Sequence, residues 1–182
     1  MERSYRGYTL RRALHEELPA LPDIEHLAAQ QFRQSSQPYA ADLPAQSLEQ
    51  LHEHQRKGNV WVAVSKDGTV AAFALCKPVD GDLFIVEADV HPAHARQGLG
   101  AALFGLLEHL ARAEGYPALL LTTFRDIPWN APYYERLGFR LLRNDELGPG
   151  LRAVRAEETQ LGLPPDSRVC MRRVLDAPTG PA

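Results

Sequence analysis

The sequence predicts a mixed α/β (α+β) fold: a mostly antiparallel central sheet of about six to seven strands with helices on both faces. Three observations carry that expectation. Short apolar runs separated by turn residues follow one another from Val60 to Val90, as antiparallel strands do. Leu99, Leu103, Leu106, Leu107 and Leu110 recur at helical spacing within Gly98 to Glu114. A continuous apolar run, Ala118 to Phe124, comes next, of the kind covered on both faces. Leu83 to Phe124 therefore reads as strand, helix, strand, with the two strands parallel and a right-handed crossover between them.

The other elements follow in order. Tyr8 to Ala13 alternates like a strand. Pro22 and Asp23 open a helix running to about Gln34, with Ile24, Leu27, Ala28 and Phe32 on one face. Ser35 to Leu43 reads as a loop. Ser47 caps a second helix, with Leu48 and Leu51 inward and Gly58 as its stop. Val60 to Ser65 and Val70 to Cys76 form a hairpin about Asp67-Gly68. Pro78 to Gly81 is a turn, Leu83 to Val90 a strand and His91 to Gln97 a loop. Pro132 to Leu137 is a short helix ended by Gly138, and Phe139 to Arg143 a strand. Leu151, Val154, Glu158 and Leu161 mark a further helix, and Val169 to Leu175 a last strand.

A length of 182 residues suits one domain, taken as 1–176, with 177–182 a frayed tail. Apolar residues at 45% and charged residues at 24% exclude wholesale disorder. A formal net charge of -3 gives no footprint for nucleic acid. No apolar stretch approaches the ~18 residues of a membrane span, and Met1 to Arg12 has no apolar core, so a cytoplasmic protein without a membrane partner is expected. Cys76 and Cys170 are far apart and read as buried free thiols. His52 and His54 face different ways on one helix and make a poor metal pair, so no metal is expected.

Chemistry concentrates between Val90 and Leu103. A strand ends, a loop turns, and Gly98-Leu99-Gly100 leads into a helix. The first turn of a helix carries N–H groups without internal partners, and the macrodipole adds about half a positive charge there. Glycines let a bulky anion approach the backbone, so a phosphate or pyrophosphate fits, with Arg96 beside it; a tight strand-to-helix connection would use the same residues. No Lys-Ser or Lys-Thr follows the glycines, which excludes a P-loop. Leu103 holds the place of the third glycine of a dinucleotide fingerprint.

The segment resembles the acetyl-CoA loop of the GNAT superfamily of N-acetyltransferases. That pattern is Q/R-x-x-G-x-G/A after a strand ending in Val-x-Pro, here Val90-His91-Pro92 and Gly98-Leu99-Gly100. Ala95 holds the Gln/Arg place, with Arg96 next to it. Asn130, followed by Tyr133-Tyr134 and Leu137-Gly138-Phe139, is similar to the family's second signature. The resemblance implies a splayed parallel strand pair binding CoA, acetyl-CoA as co-substrate, and transfer of acetyl to a primary amine by direct attack in a ternary complex. It implies cofactor contacts from Val90, His91, Arg96, Gln97, Gly98, Leu99, Gly100, Ala101, Asn130 and Tyr134, with a backbone N–H near Val90 holding the thioester oxygen. A dimer is common in the family. A CoA-binding sensor without turnover, or a transferase using another acyl-CoA, are the alternatives.

Two proton transfers attend such a reaction. An amine with a solution pKa of ~10.4 must lose a proton, and the departing thiolate gains one. Tyr134 matches the family's tyrosine beside the CoA sulfur and is the candidate acid; a half-buried aromatic is the other reading. Glu87 is the candidate base or amine-binding carboxylate. On an extended strand Glu87, Asp89 and His91 share one face, and a carboxylate on an interior strand needs a reason. Asp89 is a candidate acceptor-binding residue; Arg125 and Trp129, at the C-terminal end of Ala118 to Phe124, are candidates for the acceptor pocket or the pantetheine arm. Asn130 reads equally as a helix cap or a CoA contact. His91 and His94 flank the loop and read as solvent-exposed. The acceptor, a small-molecule amine or a peptide, is not specified by these residues.

Overall fold

A hairpin absent from the sequence pattern opens the chain in the computed structural model, which describes residues 1–175. Strand β1 (Glu2–Tyr5) pairs antiparallel with β2 (Tyr8–Arg12). Arg6 and Gly7 turn the chain at φ +46 and +88, the pair of positive angles a two-residue hairpin turn needs. The first three residues of β1 are exposed, so it lacks the alternation that marks a half-buried strand. The expected frayed tail, 177–182, lies outside the described residues.

Two compact units divide the chain. Met1–Lys77 and Val86–Leu107 form the first, and Pro78–Ile85 with the chain from Glu108 onward the second. In the first, β2 pairs with β3 (Val60–Val64), and β3 with β4 (Val70–Val79), all antiparallel. A bulge between Ala63 and Val64 interrupts the second ladder. The hairpin about Asp67-Gly68 is present, with Ser65 N–H bonded to Thr69 O at 2.9 Å. Helix α1 spans Leu21–Ala29, shorter than expected, because the chain tightens into a 3-10 turn over Gln30–Gln34. Another 3-10 turn, Pro38–Asp42, lies in the expected loop. Ser47 caps α2 (Leu48–Arg56) through a reciprocal pair: its Oγ accepts from Gln50 N–H, and Gln50 Oε1 from Ser47 N–H.

Ile24, Leu51, Val62, Phe73 and Leu75 form the core of this unit, with Val86 packed against it. Leu27 and Leu48, both expected inward, are exposed. In a helix of nine residues the buried stripe is narrow, and Ile24 with Ala28, or Leu51, already fills it.

Strand β4 also runs further than the pattern suggested. Pro78 and Val79 belong to it, and only Asp80 and Gly81 turn, at φ +51 and +84. Strand β5 (Asp82–Val90) then passes from the second unit into the first, and α3 (Leu99–Ala113) passes back. All five predicted leucines of α3 are buried. In the second unit β5 pairs in parallel with β6 (Ala118–Phe124), from Leu83 opposite Leu119 to Ile85 opposite Leu121, as expected. Helix α4 spans Ala131–Arg136. Strand β7 is reduced to Arg140–Leu141, both exposed, where Phe139 to Arg143 was expected. Helix α5 runs over Pro149–Gln160, and β8 (Arg168–Val174) pairs antiparallel with both β6 and β7. The described strands number eight, against the six to seven expected, and β1 supplies the surplus.

Two contacts tie the second unit together. Asp82, 6% exposed, holds the Arg172 guanidinium at 2.7 and 3.1 Å. Asp80 accepts from the N–H groups of Gly150 and Leu151, each at 2.8 Å, and so caps α5 from 70 residues away. A Cβ on Gly148 would collide with the Asp80 carboxylate, so that glycine makes room for the cap.

Candidate active site

The turn into α3 has the geometry an anion needs. The first intrahelical bond runs from Ala102 N–H to Gly98 O at 3.0 Å, which leaves the N–H groups of Leu99, Gly100 and Ala101 ahead of it. Gly98 has φ +81, which calls for glycine, and an added Cβ there would displace the Tyr5 hydroxyl. Arg96 is exposed and holds φ +61, a left-handed conformation uncommon outside glycine. His91 caps a short 3-10 turn, Pro92–His94, with Nδ1 accepting from Ala93 N–H at 3.1 Å, and its own N–H is bonded to Ala71 O at 2.8 Å.

Two residues from the N-terminal hairpin brace this loop, and sequence reasoning missed both. Tyr5 abuts Gly98. The Tyr8 hydroxyl donates to Gln97 Oε1 and lies 2.9 Å from His94 Nδ1. His94 is thus half-buried and held by an aromatic neighbour, where exposure was expected. Gln97 spends its side-chain oxygen on Tyr8, so what it still offers a ligand is its amide nitrogen and backbone.

Glu87 and Asp89 are half-buried near the end of β5, as are all residues from Val86 to Val90, and a third carboxylate joins them. Glu25, from α1, is half-buried, and its Oε2 accepts from Gln46 N–H at 3.0 Å. Burial, then repulsion from Glu87, pushes the Glu25 carboxyl up to about 8 against that bond. Asp89 is driven well above the ordinary carboxyl range by burial, by the charges of Glu87 and Glu25, and by a hydrogen bond shared with Glu87. Two carboxyl groups share a hydrogen bond only when one carries a proton. Glu25 therefore retains its proton at neutral pH, and the trio favours a cation beside it. Glu25 escaped notice because helical spacing assigns it to a polar face. Among the described residues no group of three or more His, Cys, Asp or Glu is arranged to hold a metal.

The remaining candidates belong to the second unit. Asn130 stands at the N-cap of α4, yet its side chain makes no cap bond; Pro132 follows in the first turn. Its Oδ1 is buried without a hydrogen-bond partner among the described residues. The capping reading is therefore corrected, and an orphaned acceptor of this kind invites a donor from a ligand. Tyr134 is half-buried and packs edge-on against Tyr133 and Phe139, with centroids 5.4 and 5.9 Å apart. Burial raises the Tyr133 hydroxyl above its ordinary value, with the nearby Arg136 charge opposing it. Arg125 and Trp129, just beyond β6, are exposed. Arg125 N–H is bonded to Ser167 O at 2.8 Å.

Comparison with known proteins identifies the family and the fold. The family model described as acetyltransferase (GNAT) family matches residues 21–139. Among solved structures, the chain is similar to the PaiA N-acetyltransferase of Thermoplasma acidophilum in complex with coenzyme A. The identity is 15% and the TM-score 0.65, covering 91% of this chain and 97% of that one. It is similar to the ribosomal-protein-S18-alanine N-acetyltransferase of Escherichia coli at 21% identity and TM-score 0.63, over 96% and 98% of the two chains. A GNAT-family acetyltransferase of Listeria monocytogenes matches at 14% identity and TM-score 0.69, over 96% and 100%. At these identities the likeness is one of fold.

Proposed function

This chain belongs to the acetyltransferase (GNAT) family, and on that premise we propose that it transfers acetyl from acetyl-CoA to the primary amine of a cationic acceptor. The observation that carries the acceptor reading is the Glu25–Glu87–Asp89 trio. Three carboxyl groups that repel one another are relieved by an ammonium group, and one of them then takes its proton. Glu87, with Glu25 and Asp89 beside it, is the base in this reading.

Acetyl-CoA supplies the activated acetyl group. The N–H groups of Leu99, Gly100 and Ala101, with Arg96, suit its pyrophosphate. His91, Gln97, Gly98 and the Asn130 side chain complete the contacts carried over from the family. The Val90 N–H is the donor proposed for the thioester oxygen. Attack by the amine nitrogen forms the amide C–N bond as the C–S bond breaks. One ammonium proton goes to the Glu87 carboxylate before attack; Tyr134 donates its hydroxyl proton to the departing sulfur and is reprotonated by the second N–H proton, which leaves the nitrogen as the amide forms. Trp129 and Arg125 are the remaining acceptor-side residues. The proposed enzyme is a cytoplasmic, metal-independent single domain over residues 1–176.

Calorimetric titration tests the premise. Micromolar binding of acetyl-CoA is expected, with neither NADH nor ATP bound. Thiol release is then followed with a diamine, a neutral amino acid and a peptide N-terminus as acceptors. The diamine should lead. Turnover of the neutral amino acid alone would overturn the cationic acceptor and leave acetyl transfer standing.

A further inference from the structure

A cavity in the second unit shares one residue, Arg125, with the proposed acceptor side. It measures about 240 Å³, and its lining includes Arg125, Asn144, Arg155, Asp166, Arg168 and Cys170. Three arginines therefore line one cavity. Two of them are fixed in place. Glu158, 8% exposed, accepts from Arg168 Nη2 at 2.6 Å, from Arg155 Nη1 and from the Thr122 hydroxyl. Arg155 Nη2 also donates to Pro165 O at 2.9 Å, and Arg168 lies over the Phe124 ring at 4.7 Å.

The charge does not balance. Burial pushes the Glu158 carboxyl up, but the charge and hydrogen bond of Arg168, the Thr122 hydroxyl and Arg155 outweigh it and leave the group ionised. Asp166, exposed, supplies the other carboxylate. Burial raises the Cys170 thiol to about 11, so the wall adds no thiolate. Three cations thus face two anions. Arg168 is partly committed, its Nη2 donating to Glu158 and Thr122, whereas the Arg125 side chain makes no ion pair among the described residues.

We propose that this cavity binds a small oxyanion, a carboxylate or a phosphate, through Arg125 and Arg168. Size limits the ligand. At ~30 Å³ per water the space equals about eight waters, below the ~300 Å³ at which drug-sized pockets begin. A dicarboxylate of three or four carbons or a single phosphate fits, and a nucleotide does not. Guanidinium forks match either oxyanion with paired hydrogen bonds.

The test uses the full chain without acetyl-CoA or acceptor, so failure here leaves acetyl transfer standing, and Arg125→Ala set against Arg96→Ala tells this cavity from the α3 loop. Malonate and inorganic phosphate are titrated separately by calorimetry, with chloride holding the ionic strength constant against screening. Saturable binding of one of them is expected, and its identity separates the two sources. Affinity should fall at least tenfold in Arg125→Ala, which alters an exposed side chain. It should also fall in Arg168→Lys, which keeps the charge but lacks the guanidinium fork. Arg96→Ala, in the other anion-binding loop, should leave malonate binding unchanged. No binding above chloride, or binding undiminished in Arg125→Ala, overturns the proposal.

Discussion

Replacing Glu25 by glutamine tests the carboxylate trio through stability alone. Glu25 has a folded-state pKa of about 8 against an ordinary 4.5. Because the folded value is raised, the protonated group contributes its full stability below pH 4.5, and this is lost as pH rises through 8. At ~1.36 kcal/mol per unit, the ionised side chain costs about 5 kcal/mol when the loss is complete. Glutamine is nearly isosteric and carries no charge. It keeps an acceptor for Gln46 N–H, and the stronger bond of the ionised carboxylate is already contained in the value of about 8. The variant should therefore match the wild type near pH 4 and exceed it by about 5 kcal/mol at pH 9. For a chain of this length that is a rise in Tm of roughly 10–20 °C. Differential scanning calorimetry at half-unit pH steps reads it directly. A Tm difference that stays constant from pH 4 to pH 9 would refute the argument, since burial without ionisation has no pH slope.

Further expectations concern catalysis and the second unit. Tyr134→Phe should bind acetyl-CoA as the wild type does and lose ~10²-fold or more in kcat, read by titration alongside steady-state thiol release; unchanged turnover would remove Tyr134 as the acid. Asp80→Ala removes both N–H acceptors of α5 and should cost about 1–2 kcal/mol in urea unfolding, whereas Asp80→Asn, which tolerates positive φ, should cost less. Asp82→Ala leaves the Arg172 guanidinium without its paired acceptor and should lower stability by about 3 kcal/mol with the urea m-value unchanged.

What the sequence makes legible depends on how local the physics is. The Gly98-Leu99-Gly100 turn, the α3 leucines and the Ser47–Gln50 cap each lie within a few residues, so pattern alone finds them. Edge structure is different. Strand β1 exposes its first three residues and so carries no periodicity, yet it supplies Tyr5 against Gly98. Tyr8 from β2 could be recognised as part of a strand, but its bonds to Gln97 and His94 join residues more than 80 positions apart. Composition has no access to such pairings. The cap on α5 is of the same kind: sequence reasoning seeks a cap immediately before the helix, while Asp80 arrives from the end of β4.

The carboxylates show the limit most clearly. Alternation along β5 selects Glu87 and Asp89, because an acid on an interior strand is already anomalous. Glu25 is not anomalous on a helix, and only its burial beside Glu87 makes it one. A single such acid is a candidate base. With the third, proton loss by any one group raises the cost for the other two, so an arriving ammonium is stabilised before any proton moves. It follows that charge on the acceptor, more than its shape, should set the order of reactivity. The order of diamine, peptide and neutral amino acid in the acceptor screen is thus a measure of whether all three carboxylates act together.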